Sequence, residues 1–304
     1  MSENTTVKTV ISLSRRQFLT AGTGLAGSLF LGKACWYEPR TFVVEELQLD
    51  IAKVPPGTGL RIVHLSDLHL RSLPDHFAAA AATINDLRPD LILPTGDYLD
   101  HARKLEGALN FVKLLRCEGG IFAVQGNWEY WSRLEGEPLR RRLAKAGVEL
   151  LIDECRDLLI RGIPLSILGI DYPSASHSLD KIRQAATSNR LNIALSHVPA
   201  FGHDKLDSLA DLILSGHTHG GQIRLPFIRP VYLPRFSSPF VAGLYRVTAN
   251  HIPLYVNRGM GTSVLPVRLF CQPEITLLQL NSPPAGEVPW QQKPASLASD
   301  LIKV

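Results

Sequence analysis

Three times in the first half of the chain an apolar, β-rich run is followed by a segment with helical spacing. That recurrence constrains the fold more than any other feature. "RIVHLSDLHL" leads into "DHFAAAAATINDL", where Phe77, Ala81, Ile84 and Leu87 repeat at helical intervals until Pro89 stops them. "DLILPTGDYLD" leads into "LEGALNFVKLL", with Leu105, Leu109 and Val112 on one face and Gly119-Gly120 after it. "IFAVQGNW" leads into "EPLRRRLAKAG", which has proline at a helix start and glycine at its end. Parallel strands need a crossover between them, so this order predicts a largely parallel sheet with helices on its face. The alternating "FVVEELQLD" and the turn "VPPGTGL" precede the series.

From about Val148 the pattern changes to strands with short connections: "VELL", "RDLLI", "IPLSILGIDYP", "LNIALSHVP", "DLILSGHTHGGQIR", "IPLYVNRGMG" and "EITLLQL". A helix at "SLDKIRQAA" and a short one near "GHDKLDSLA" interrupt them. This half predicts a second, more antiparallel sheet, so the whole reads as one α/β domain, a sandwich of two sheets with helices outside. The domain is assigned to residues 41–281, followed by a loose proline-rich tail at 282–304 that includes "PPAGEVPWQQKPAS". Hydrophobic residues at 45% and charged residues at 20% of 304 fit a globular chain with an ample core. The net charge of +4 is mild, and no basic stripe is interleaved with aromatics, so no nucleic-acid-binding module is expected. Cys35, Cys117, Cys155 and Cys271 stand far apart with no CxxC pair, which excludes a zinc ribbon.

The first 40 residues read separately. "SRRQFLTAG" sets Arg15 and Arg16 directly before an apolar, glycine-rich segment of 14 residues, Phe18 to Leu31. A helix needs roughly 20 apolar residues to span a bilayer. The pattern therefore predicts a twin-arginine export signal, which either is cleaved or stays as a tether, and a protein working in the periplasm or on the outer face of the cytoplasmic membrane. Lys33 spoils a lipoprotein-type match at Cys35.

The candidate chemistry lies where strands end, which is where open α/β sheets place their ligands. Asp67 and His69, Asp97, Asn127, His197, and His217 with His219 stand at five such ends. Residues i and i+2 of an extended segment point the same way, so Asp67 with His69 and His217 with His219 can each offer two ligands to one cavity. Asp67 or Asp97 alone would read as a cap or turn residue, and His197 alone as a buried histidine. Two histidines among the small residues of "SGHTHGG" have no packing explanation, and the glycines let backbone pass close to a ligand. Carboxylate plus imidazole suits Mn, Fe or Zn, and seven ligands suit two ions with Asp97 between them.

"DLH", "GDY", "GN", "SH" and "GHTHGGQ", in this order from Arg61 to Leu280, resemble the signature of calcineurin-like metallophosphoesterases. With the twin-arginine signal and "NRGMGTSVLPVRLFCQPEIT", the chain is similar to the exported bacterial phosphodiesterase branch. The resemblance implies a four-layer α/β/β/α sandwich of two mixed sheets. It implies two divalent or trivalent metal ions, with Asp67, His69 and His219 on the first, Asp97 bridging, and Asn127, His197 and His217 on the second. Asn127 and His217 are the residues it also places in catalysis. The implied activity is hydrolysis of phosphodiester or pyrophosphate bonds by a metal-bridging hydroxide, with a phosphate ester as substrate. A lipid-linked nucleotide of the UDP-diacylglucosamine type is an alternative substrate.

The departure is Trp128, where the family commonly has a histidine that protonates the leaving oxygen. An indole N–H donates a hydrogen bond but transfers no proton near neutral pH. The expectation is a preference for leaving groups that are already weak bases, unless Asp100, His101 or His64 supplies the proton. Trp128 itself reads either as packing with Tyr130 and Trp131 or as a platform for substrate. Arg268, with Arg258, is a candidate for binding phosphate oxygens. "RLPFIRPVYLPRFSSPF", from Arg224 to Phe240, is either a packed loop stiffened by proline or a contact for lipid and an anionic membrane surface. Two other classes compete: a metal-stabilised binding protein that has lost turnover through Trp128, and a metalloprotease, against which the lack of any HExxH helix argues.

Overall fold

The computed structural model describes residues 14–172, 176–201 and 203–284. A helix α1 (Arg15–Gly32) and a short irregular stem, Lys33–Arg40, precede β1 (Val43–Asp50). The first half then runs β2 (Gly59–Leu65), α2 (Asp75–Asp86), β3 (Leu91–Pro94), α3 (Leu105–Val112), β4 (Ile121–Ala123), α4 (Asn127–Trp131), α5 (Glu137–Ala144) and β5 (Val148–Leu150). The second half runs β6 (Glu154–Ile160), β7 (Ile163–Ile170), α6 (Ser176–Ala185), β8 (Leu191–Ser196), β9 (Leu212–Ser215), β10 (Gly243–Val247), β11 (Ile252–Val256) and β12 (Glu274–Asn281).

These strands lie in two six-stranded sheets, ordered β1-β12-β2-β3-β4-β5 and β10-β11-β9-β8-β7-β6. Period-two alternation sends their side chains into different cores. On β2, Leu60 and Ile62 face the second sheet, whereas Val63 and Leu65 face α2 and α3. On β8 and β9, Leu191, Ile193, Leu195, Leu212 and Leu214 meet them from the other side, while Ala194 and Ile213 pack with Leu179 and Ile182 of α6. Both faces of both sheets are therefore buried, giving the four layers α/β/β/α and explaining why the strands read as unbroken apolar runs.

Three features differ from the sequence expectation. The second sheet is mixed, as the resemblance implies, where the strand spacing points to a more antiparallel one: β11-β9, β9-β8 and β8-β7 are parallel, and only the edge pairs β10-β11 and β7-β6 are antiparallel. The last strand returns to the first sheet, where β12 lies parallel to β1 and antiparallel to β2, with Leu277 opposite Val63. The stem before β1 also packs on the domain. Ala34 and Glu38 are buried, the Ala34 carbonyl accepts from the Arg268 amide, and the Glu38 carboxylate accepts from the Cys271 amide. The body thus begins before residue 41, with α1 projecting from it. No described helix is long and apolar enough to cross a membrane. The tail from 285 onward lies outside the described residues.

Candidate metal centre

The ends of β2 and β3 run side by side and are stitched by backbone bonds: the Asp67 amide donates to Gly96 O, His69 to Asp97 O and Leu70 to Tyr98 O. Within this stretch and its counterpart after β9 the backbone is unusual. Asp67, His69, Asp97, His217 and His219 all have φ between 45° and 71°. Side chains disfavour that region by a kilocalorie or more per residue, so five instances in one place mark a structure that over-determines them. The paired ligands thus converge through left-handed turns; neither segment is extended, as the i, i+2 reasoning had assumed. Glycines make the close approach possible. A Cβ on Gly259 would come within 2.7 Å of the Asp67 Cβ, and one on Gly126 within 2.9 Å of the His197 ring.

All seven sequence candidates meet in one buried cluster. His219 Nε2 is 3.4 Å from Asp67 Oδ1 and 3.2 Å from His69 Nε2, which is 3.6 Å from Asp97 Oδ2. The same Asp97 oxygen is 3.3 Å from His197 Nε2, itself 3.0 Å from Asn127 Oδ1 and 3.1 Å from His217 Nδ1. Two ligand groups result, Asp67-His69-Asp97-His219 and Asp97-His197-His217, with Asp97 common to both.

The ring protons test whether a cation fits. His197 Nδ1 lies 2.7 Å from Thr95 O, and His217 Nε2 lies 2.7 Å from Arg235 O. A carbonyl only accepts, so these nitrogens carry the protons, and in the neutral rings the inward nitrogens present lone pairs. His197 Nε2, His217 Nδ1 and Asn127 Oδ1 then face one another as three acceptors with no hydrogen among them. Asp67 Oδ1, fully buried, has no hydrogen-bond partner either. A divalent metal ion satisfies both arrangements. The electrostatics agree. Burial alone would lower His197, but the Asp97 and Asp67 charges lift it to about 9, so without an ion its inward nitrogen takes up a proton, and a metal ion would take that proton's place. Burial and the neighbouring His197 hold His217 down at about 4, and burial with His69 keeps His219 well below the usual imidazole range.

The supports are residues whose role the sequence did not reveal. His69 Nδ1 donates to Asp100 at 2.7 Å, which turns its other nitrogen to the centre, and Arg71 holds Asp100 from outside. Glu129 is completely buried and accepts from the amides of Asp97, Tyr98 and Gly126, locking the two loops that carry Asp97 and Asn127. Its position in the first turn of α4 was the available signal: an acid two residues past Asn127. The Trp128 amide donates to Asp97 Oδ1 and the His217 amide to Asp67 Oδ2.

Trp128 stands beside His69, ring centroids 5.6 Å apart and nearly perpendicular, and forms one wall of a cavity of about 540 Å³ whose floor holds Asp97, Asn127, His217 and His219. It also packs edge-on against Trp131, as its packing reading expected, while Tyr130 turns to Tyr172 instead. Arg268 corrects an expectation. Its side chain is fully buried, and its guanidinium donates to the carbonyls of Arg258, Gly259, Gly261 and Cys271, so it serves the backbone around it and is not presented to a phosphate. Arg258 is engaged by Glu45 and Glu274. Of the alternative proton donors, His64 is buried against Thr95, and its pKa is lowered to about 3 by that burial. Asp100 is held ionised: its bonds to His69 and Arg71 outweigh burial. His101 caps a turn at the surface. All four cysteines are free.

The comparisons with known proteins follow the same residues. Residues 60–221, which include every ligand above, match the model of the calcineurin-like phosphoesterase family. The chain is 33% identical over 293 residues to the uncharacterized metallophosphoesterase YkuE of Bacillus subtilis, covering 89% of this chain and 98% of that one. It is 32% identical to YkoQ of the same organism over 75% of this chain and 86% of the relative. Phosphodiesterase YaeI of Escherichia coli is 31% identical, covering 88% of this chain and 99% of its own. The chain belongs to the calcineurin-like phosphoesterase family.

Proposed function

We propose that this protein is a binuclear-metal phosphoesterase that hydrolyses phosphodiester or pyrophosphate bonds, and that it works outside the cytoplasmic membrane after twin-arginine export. One observation carries the catalytic reading: Asp97 belongs to both ligand groups, so a single carboxylate can join two ions. The similarity to phosphodiesterase YaeI supports the diester assignment. Arg15 and Arg16, exposed at the start of α1, support export.

Mn, Fe or Zn ions held in the two groups would supply a hydroxide nucleophile at neutral pH and neutralise charge on the phosphoryl oxygens. The protein's own residues set the rest. Asn127 adds a neutral oxygen ligand, and its NH₂ is free to face the substrate. Glu129 and Asp100 fix the ligands' orientation. Trp128 and Trp131 form an apolar wall beside the ligand cluster, against which a substrate group can rest. Water adds across one P–O bond, and the electron pair of that bond leaves with the ester oxygen, which then takes a proton. Trp128 can donate a hydrogen bond to that oxygen but no proton, so substrates with weakly basic leaving groups are favoured.

Metal analysis of the purified protein, paired with release of p-nitrophenol from bis-p-nitrophenyl phosphate, tests the reading. Two ions per chain and metal-dependent turnover are expected. Asp97→Asn should lose metal and roughly a thousandfold or more in rate, because several kcal/mol of transition-state charge stabilisation go with it. Bound metal without any turnover would instead describe a metal-stabilised binding protein.

A further inference from the structure

The floor of the cavity is polar, but its outer rim is apolar and exposed. Trp131, Val231, Tyr232, Val264 and Leu265 line the mouth, with Val231 and Val264 each 81% exposed and Tyr232 72%. Beyond them Phe227 is fully exposed and Ile228 is 60% exposed, on a loop held out by Pro226, Pro230 and Pro234. Soluble monomers seldom present so many large apolar side chains in one region without a partner for them.

The patch continues toward the N-terminal segment. Val264 and Leu265 also border a second cavity, of about 720 Å³, whose wall includes Cys35, Pro39 and Arg40 of the stem. Lys33 Nζ lies 4.3 Å over the ring of the half-exposed Phe270. The projecting α1 exposes Leu25, Leu29 and Leu31. Charge complements this surface. No aspartate or glutamate occurs between Asp211 and Glu274, and Arg229 and Arg235 stand exposed among the apolar residues of the loop. On the loop itself, exposed aromatic and aliphatic side chains interleaved with arginines and no acids fit an anionic bilayer surface, where the apolar groups enter the acyl boundary and the arginines meet the headgroups.

We propose that Leu225–Phe236 and Val264–Leu265 dock the mouth of the cavity onto an anionic bilayer, and that the substrate is the phosphate ester of a membrane amphiphile. Its tail runs along the wall of Trp131, Val231, Tyr232 and Leu265 while its phosphate reaches the ligand cluster. The substrate assignment rests on the phosphoesterase reading; the docking does not. Hydrolysis of such a phosphodiester consumes only water and yields a phosphate monoester and an alcohol, one of which keeps the tail.

The test sediments the full-length protein with vesicles of phosphatidylglycerol and phosphatidylethanolamine, and with vesicles of phosphatidylcholine alone. Turnover is measured on a diacylglyceryl p-nitrophenyl phosphate embedded in the vesicles and on soluble bis-p-nitrophenyl phosphate. The protein should bind the anionic vesicles preferentially. Phe227→Ser with Ile228→Ser, both outside the cavity lining, should weaken binding and vesicle-substrate turnover together, by about tenfold or more, the effect of removing two inserting side chains. Metal content and turnover of the soluble ester should not change. Absence of vesicle binding overturns the docking. So does a double variant that binds like the wild type, which would assign contact to α1 alone, or a dimer that the double variant dissociates. Vesicle binding with no turnover of either ester leaves docking standing and overturns the phosphoesterase reading.

Discussion

Trp128 stands where a single side chain can bear on the chemistry of the centre without replacing any of its ligands. Its backbone amide holds Asp97 Oδ1 at 2.9 Å, a bond any residue could make, while its indole stands at the cavity wall. Histidine at this position would restore a group able to move a proton. If leaving-group basicity is what the indole fails to manage, Trp128→His should raise the rate on alkyl esters by about a hundredfold and leave aryl esters nearly unchanged, within the usual range for general acid catalysis. A Brønsted series read in both proteins checks this: a steep slope in the wild type that flattens in the variant is expected, and equal slopes would refute it. The ligands themselves were legible in the sequence because polar residues at the ends of apolar strands have few structural uses. Arg268 was misread for the opposite reason. An arginine near a strand end looks available on paper, and nothing in the sequence shows that four carbonyls are folded around it.

At the scale of elements, what the sequence revealed depended on how local the cause was. Strands β2, β3, β8 and β9 could be read because burial on both faces writes an apolar run. β10 was missed: "GLYRV" is short and contains an arginine and a glycine. The place of β12 between β1 and β2 was not legible, because sheet order is set by contacts over two hundred residues apart. Helix α4, five residues at the end of the "QGNW" run, was not legible because one turn is too short to show a period. Strand β2 also carries a pH liability that has nothing to do with metal. His64 is buried there as a neutral ring, and burial lowers its pKa from 6.5 to about 3. The unfolded chain therefore binds a proton that the folded one refuses. Stability is fully present above the unfolded value and is lost as pH falls from 6.5 toward 3. Between pH 7 and pH 5 the loss from this ring is about 2 kcal/mol. His64→Gln, unfolded by urea in the presence of chelator at both pH values, should show a smaller acid loss than the wild type by about that amount. Parallel losses in the two proteins would show that His64 does not carry it.

The whole molecule joins a scattered ligand set to a short N-terminal arm, and the combination bears on how it could reach its site of action. The ligands run from Asp67 to His219 and come together only when both sheets have formed, so the centre does not exist in an unfolded chain. A protein threaded across a membrane unfolded would have to acquire its metals outside. One exported after folding can be loaded before it leaves. The arm suits the second route: α1 begins with Arg15 and Arg16, projects from the body, and is joined to it by a stem that Arg268 and Cys271 fasten through Ala34 and Glu38. An address read by a receptor depends on side-chain identity more than on charge. Replacing both arginines by lysine keeps the charge and should still strand the protein in the cytoplasm, folded, metal-loaded and as active on bis-p-nitrophenyl phosphate as the wild type. Fractionation of cells expressing the two forms, with metal and activity measured in each fraction, makes the comparison. An unchanged distribution would rule out twin-arginine export. A stranded but metal-free protein would mean that loading takes place outside the membrane, and folding before export would then lose its purpose.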